Sequence, residues 1–108
     1  MSDHGAIVVL TTVEDAAAAR VMAAKLVEER LAACVSWHAL NSVYQWKGAL
    51  EEQSECLLIV KTASGRWPAL QARISQLSSY DTPEILALEA AQASASYLAW
   101  LLESVSES

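Results

Sequence analysis

The side chains in this chain best suited to a soft or borderline metal ion are Cys34, Cys56, His4 and His38. Such ions want sulfur and imidazole nitrogen converging at about 2.0–2.3 Å. Cys34 and His38 share a face on a regular strand, but their spacing puts them about 13 Å apart. One ion reaches both only through a bulge or with help from a second subunit. Cys34 and Cys56 each lie in an apolar stretch and read first as small buried hydrophobes. One pair of cysteines without motif spacing is no disulfide framework, so reduced thiols in a cytoplasmic protein are expected. His4 falls in the polar start of the chain. Nucleophilic catalysis needs a base beside the nucleophile, and neither histidine stands in a motif that offers one to a cysteine. The chain has 3 glycines and no phosphate loop. The expectation is a protein without catalytic residues.

Composition narrows the partners. The chain has 108 residues, 54% hydrophobic and 19% charged, with a net charge of −6. The length fits a single domain over 1–108, with flexible ends at 1–5 and 104–108. An acidic surface repels phosphate backbones and anionic lipid, which argues against nucleic acid. The apolar run Ala6 to Leu10 is about a third of a bilayer span, and no membrane segment or signal peptide is expected. So much apolar side chain in so small a globule points to oligomerisation.

Hydrophobic periodicity places the elements. Residues 7–11 are apolar or β-branched throughout and read as a central strand buried on both faces. Thr12 and Asp15 have the spacing of a capping box. Ala19, Met22, Ala23, Leu26 and Val27 then form one helical stripe, within a helix from Val13 to Glu29. Residues 32–46 and 55–62 read as two strands of a long antiparallel hairpin. Lys47-Gly48 marks its turn, and Asn41-Ser42 allows a bulge. Ser64 and Pro68 open a second helix that runs to Leu77. Tyr80 to Pro83 is a loop, Ile85 to Leu88 a strand, and Ser94 or Ser96 caps a third helix carrying Tyr97, Trp100 and Leu101. The tail from Ser104 is polar and expected to fray. The order is βαββαβ plus a C-terminal helix, an α+β sandwich with an antiparallel sheet.

Several short motifs lie along this framework: Leu10-Thr-Thr12, Leu31-Ala-Ala-Cys-Val35, Ser42-x-Tyr-x-Trp-x-Gly48, Glu55 with Lys61-Thr62, Tyr80-x-x-Pro-Glu84 and Tyr97-Leu-x-Trp100. In this order they resemble the CutA family of divalent-cation tolerance proteins. The resemblance implies a ferredoxin-like fold, a homotrimer similar in architecture to the PII signalling proteins, and a link to copper tolerance. The family often has His-Pro where this chain has Ser78-Ser79, so a potential metal-binding histidine is missing. Ser36 and Trp37 depart from its usual asparagine and aliphatic residue.

The resemblance also implies sites. Tyr44 and Trp46, on an outer hairpin too long for one domain to cover, are candidates for the trimer interface. Trp46, Glu55, Lys61, Tyr80 and Glu84 are candidates for a ligand cleft between subunits, or for a loop held by an ion pair and an aromatic hydrogen bond. Cys34 and His38 are the weak metal candidates, with a divalent cation such as Cu2+ as the implied ion. Three functions remain open: cation tolerance through binding or assembly, a PII-like adaptor for a small molecule, and a structural trimer.

Overall fold

The computed structural model describes residues 5–106. His4 and the outermost residues of both expected flexible ends lie outside the described residues. The elements are β1 (Ala6–Val13), α1 (Ala16–Glu28), β2 (Cys34–Trp46), β3 (Ala49–Ala63), a 3-10 turn (Ser64–Arg66), α2 (Trp67–Leu77), β4 (Ile85–Glu89) and α3 (Ala95–Ser104). The expected βαββαβ order with a C-terminal helix is the one found. The four strands form one sheet in the order β2-β3-β1-β4, and each neighbouring pair is antiparallel. Each βαβ crossover leaves a gap that a strand of the other unit fills.

Strand alternation decides which residues meet the helices. Val9, Val13, Leu58 and Val60 point to one face, where they pack with Met22 and Leu26 of α1 and with Leu70 and Ile74 of α2. Val35 and Trp37 join this core from β2. α3 instead belongs to a second, smaller cluster, in which Leu101 and Val105 meet Ala6, Ala33 and Ala63. Ala6 and Ala63 are register partners one residue from Ile7 and Thr62, so α3 covers one end of the opposite face. The rest of that face is open. Val8 and Leu10 are only half-buried, so β1 is not enclosed on both faces within one chain.

Local details differ from the sequence reading. Thr12 does not cap α1, because β1 keeps pairing with β3 as far as Val13↔Cys56. The cap is Asp15, whose carboxylate accepts from the Ala18 N–H at 2.8 Å. Val27, expected on the buried stripe, is exposed. No bulge interrupts β2 at Asn41-Ser42, where the one-to-one register with β3 continues. The arms are therefore longer than expected, with β3 beginning at Ala49 and not at Glu55. Lys47 and Gly48 have φ of 52° and 82°, the left-handed geometry of a two-residue turn that matches strand twist. The long axis of the molecule, 44 Å, is about the length of the 13 residues of β2 at full extension. Ser64 enters α2 through the 3-10 turn without a side-chain cap. The tail is tied down as far as Ser106: Arg66 Nε donates to Val105 O at 2.9 Å, and Val105 is buried.

Candidate functional site

The hairpin and the loop before β4 meet around Glu55. β3 places this carboxylate opposite Leu40 on the open sheet face. It is only 9% exposed. The loop reaches it through Tyr80, whose hydroxyl donates to Glu55 Oε1 at 3.0 Å. Ser78 and Ser79, which stand where the resemblance expects His-Pro, fasten this loop. Ser79 Oγ donates to Glu14 Oε2 at 2.8 Å, and the Tyr80 N–H donates to Ser78 Oγ at 3.1 Å. Burial pushes the Tyr80 phenol well above its ordinary pKa. The bond to Glu55 and the negative charges of Glu55 and Glu14 push it further the same way.

A cavity of about 430 Å³ opens between these elements. Thr12, Ser42, Tyr44, Tyr80 and Thr82 line it with hydroxyl groups. Glu55 and Glu84 add carboxylates, and Val43 is its aliphatic wall. A smaller recess of about 160 Å³ adjoins it, sharing Tyr80 and Thr82 and adding Trp46 and Asp81. Among the cleft candidates, Glu55, Tyr80 and Glu84 thus share one cavity, and Trp46 stands next to it. Lys61 does not join them within one chain. It lies about 20 Å further along β3, where its ammonium donates to Ser36 Oγ at 2.8 Å. Of the expected loop fastenings, the aromatic hydrogen bond is present, while Lys61 is engaged elsewhere.

The metal candidates do not converge. Cys34 pairs in register with Lys61 and His38 with Leu57, both on the open face. His38 is exposed, and its Nδ1 lies 3.2 Å from Ala39 O. Cys56 is buried on the opposite face, in the core with the helices. Among the described residues, no group of three or more His, Cys, Asp or Glu side chains is placed to hold a metal ion. With an ammonium opposite the thiol, this donor set does not fit a copper ion within one chain.

Sequence reading missed the largest feature of the open face. Leu10 faces Leu86 and Ile59, and Val8 faces Leu88, by register. Leu86 is 58% exposed and Leu88 52%. Leu57 and Ile59 add half-buried apolar surface to the same face. The signal was there: Leu57 to Val60 and Ile85 to Leu88 are unbroken apolar runs, the pattern of strands covered on both sides. The Tyr44 and Trp46 side chains continue this face along the hairpin, 38% and 40% exposed.

The sheet order, the helices packed on one face and the long projecting hairpin define a ferredoxin-like α+β protein with a polar cleft beside its open sheet. Residues 7–104 match the family described as CutA1 divalent ion tolerance protein. The chain is 47% identical over 97 residues to the divalent-cation tolerance protein CutA of Thermus thermophilus, covering 89% of this chain and 94% of that protein. It is 41% identical over 105 residues to the protein of the same name from Pectobacterium atrosepticum, covering 94% and 96%. The fold matches a solved structure described as the periplasmic divalent cation tolerance protein CutA from Archaeoglobus fulgidus, with a TM-score of 0.92 at 30% identity, covering 94% of this chain and 99% of that one. The chain belongs to the CutA family of divalent-cation tolerance proteins. Among the described residues, no helix is long and apolar enough to cross a membrane.

Proposed function

We propose that this chain works as a homotrimer in tolerance of divalent cations, copper among them, through binding or assembly and not through catalysis. The uncovered apolar face that carries Leu86 and Leu88 supports this reading most strongly. A contiguous apolar face on a soluble protein calls for a partner. Each copy offers two different surfaces, an open face and a projecting arm. Contacts between unlike surfaces are heterologous, and they make a finite assembly only by closing into a ring. The family resemblance supports a ring of three. Direct copper binding would need Cys34 or His38 of one copy to meet donors of another. Two unpaired thiols on opposite sheet faces favour a reducing, cytoplasmic setting.

Sedimentation velocity at micromolar concentration tests the assembly, and a well-folded single subunit refutes it. Isothermal titration with Cu2+ tests the metal arm. Saturable binding lost in Cys34→Ser supports direct binding. Silence leaves assembly as the route and removes the ion as a ligand. A second reading, a small-molecule adaptor, draws on the cavity beside Tyr80. Its volume lies in the range of small-ligand sites, with a few convergent polar groups.

A further inference from the structure

The lining of the Tyr80 cleft names the charge of what fits it. Its ionisable groups are carboxylates and phenols, and no Lys, Arg or His contributes to either the cavity or the adjoining recess. An anion such as a nucleotide would meet Glu55, Glu84 and Asp81 with no cation among the lining residues to offset them. Glu55 is the informative group. It is nine-tenths buried, and Tyr80 engages only Oε1. Among the described residues no second hydrogen bond to this carboxylate is found, so its other oxygen is left open at the cavity. A cation in the cavity would pair with that open carboxylate oxygen and with the Glu84 carboxylate beside it.

The aromatic groups narrow the choice of cation. Tyr44, Tyr80 and Trp46 surround the two connected spaces, and ring faces attract organic ammonium groups. The chain makes such a contact itself: the Lys47 ammonium lies 5.7 Å from the centroid of the Trp46 ring. The hydroxyls of Thr12, Ser42 and Thr82 supply acceptors for the N–H groups. A bare metal ion would leave most of the 430 Å³ unfilled.

We propose that the cleft binds a small organic ammonium ion, with Glu55 and Glu84 as its counter-charges and Tyr44 and Tyr80 as its aromatic walls. The proposal rests on the small-molecule reading of this cleft. It is tested on the full chain by isothermal titration with 1,4-diaminobutane, ethanolamine and tetramethylammonium, beside phosphate, ATP and Mn2+, with the oligomeric state measured in parallel. The expected result is saturable binding of at least one ammonium probe and none of phosphate or ATP. Glu84→Gln, at an exposed position, should weaken that binding at least tenfold with unchanged melting; Glu55→Gln should abolish it. Preference for ATP or phosphate, Mn2+ competing the ammonium away, or no ammonium binding would each overturn the proposal. Ammonium binding by a single subunit would sink the trimer and spare the ligand. An intact trimer that ignores every ammonium probe would do the reverse.

Discussion

The Tyr80 hydroxyl and Glu55 Oε1 lie 3.0 Å apart, joining a loop to a strand 25 residues earlier in the chain. The phenol donates and the carboxylate accepts, so the bond is charge-assisted. Tyr80→Phe removes the donor and leaves Glu55 buried with one partner fewer. The expected loss is about 2 kcal/mol. Thermal melting measures it, and an unchanged midpoint would show that the bond contributes nothing net.

The same pair predicts how stability depends on alkali. Tyr80 ionises later in the folded chain than in the unfolded one, because burial and Glu55 disfavour the phenolate. The folded state therefore holds a proton that the unfolded state loses above about pH 10. Stability from this source is complete below that pH and falls as pH rises through it. Denaturant titrations from pH 9 to 11 should show the decline, and it should be shallower in Tyr80→Phe. Ultraviolet titration should find Tyr97 ionising late as well, since burial and the nearby Cys34 raise it.

Thr11 and Thr62 make opposite predictions from the same residue type. Both are buried on the helix-facing side of the sheet. Thr62 Oγ1 donates to Leu31 O at 2.7 Å and holds the chain entering β2. Thr11 Oγ1 has no hydrogen-bond partner among the described residues. Thr62→Val should cost about 1–2 kcal/mol, while Thr11→Val should stabilise by about 1 kcal/mol. Equal effects from the two, measured by urea unfolding, would contradict this account.

Val105 tests the tail. Its side chain is buried with Leu101, and its carbonyl accepts from Arg66. Val105→Ala should cost about 2 kcal/mol through lost burial and a residual cavity. A free tail would show no effect.

Much of this architecture was legible because local patterns and tertiary packing agree. The stripe of Ala19, Met22, Ala23 and Leu26 is the buried face of α1. Lys47-Gly48 sits at the turn it marks. The errors came where two local solutions competed. Thr12 and Asp15 both offer a capping oxygen, and only the pairing of Val13 with Cys56 decides between them. Polar Asn41-Ser42 looked like an interruption, but Ser54 Oγ donates across the hairpin to Asn41 Oδ1 at 2.9 Å, within an unbroken ladder. The cleft was half legible. Tyr80, Glu55 and Glu84 stood in motifs, whereas Thr12, Ser42 and Thr82 are ordinary hydroxyl residues that only the three-dimensional fold brings together.

The assembly carries the most demanding prediction. Leu86 and Leu88 lie on the open face, and Tyr44 and Trp46 continue it along the hairpin. In the proposed trimer, covering each leucine with a neighbour would stabilise the assembly by about 2 kcal/mol. Replacing both with Ser removes that contribution from every copy at once. The Leu86→Ser, Leu88→Ser double variant should therefore dissociate at micromolar concentration, as seen by light scattering. Tyr44→Ser with Trp46→Ser should weaken the proposed trimer by a separate route, through the arm. Val21 is the control: it is 54% exposed but lies on α1, across the sheet from the open face. Val21→Ser should leave the assembly alone. Full trimers with unchanged melting in both double variants would mean that neither the face nor the arm is the surface that copies share.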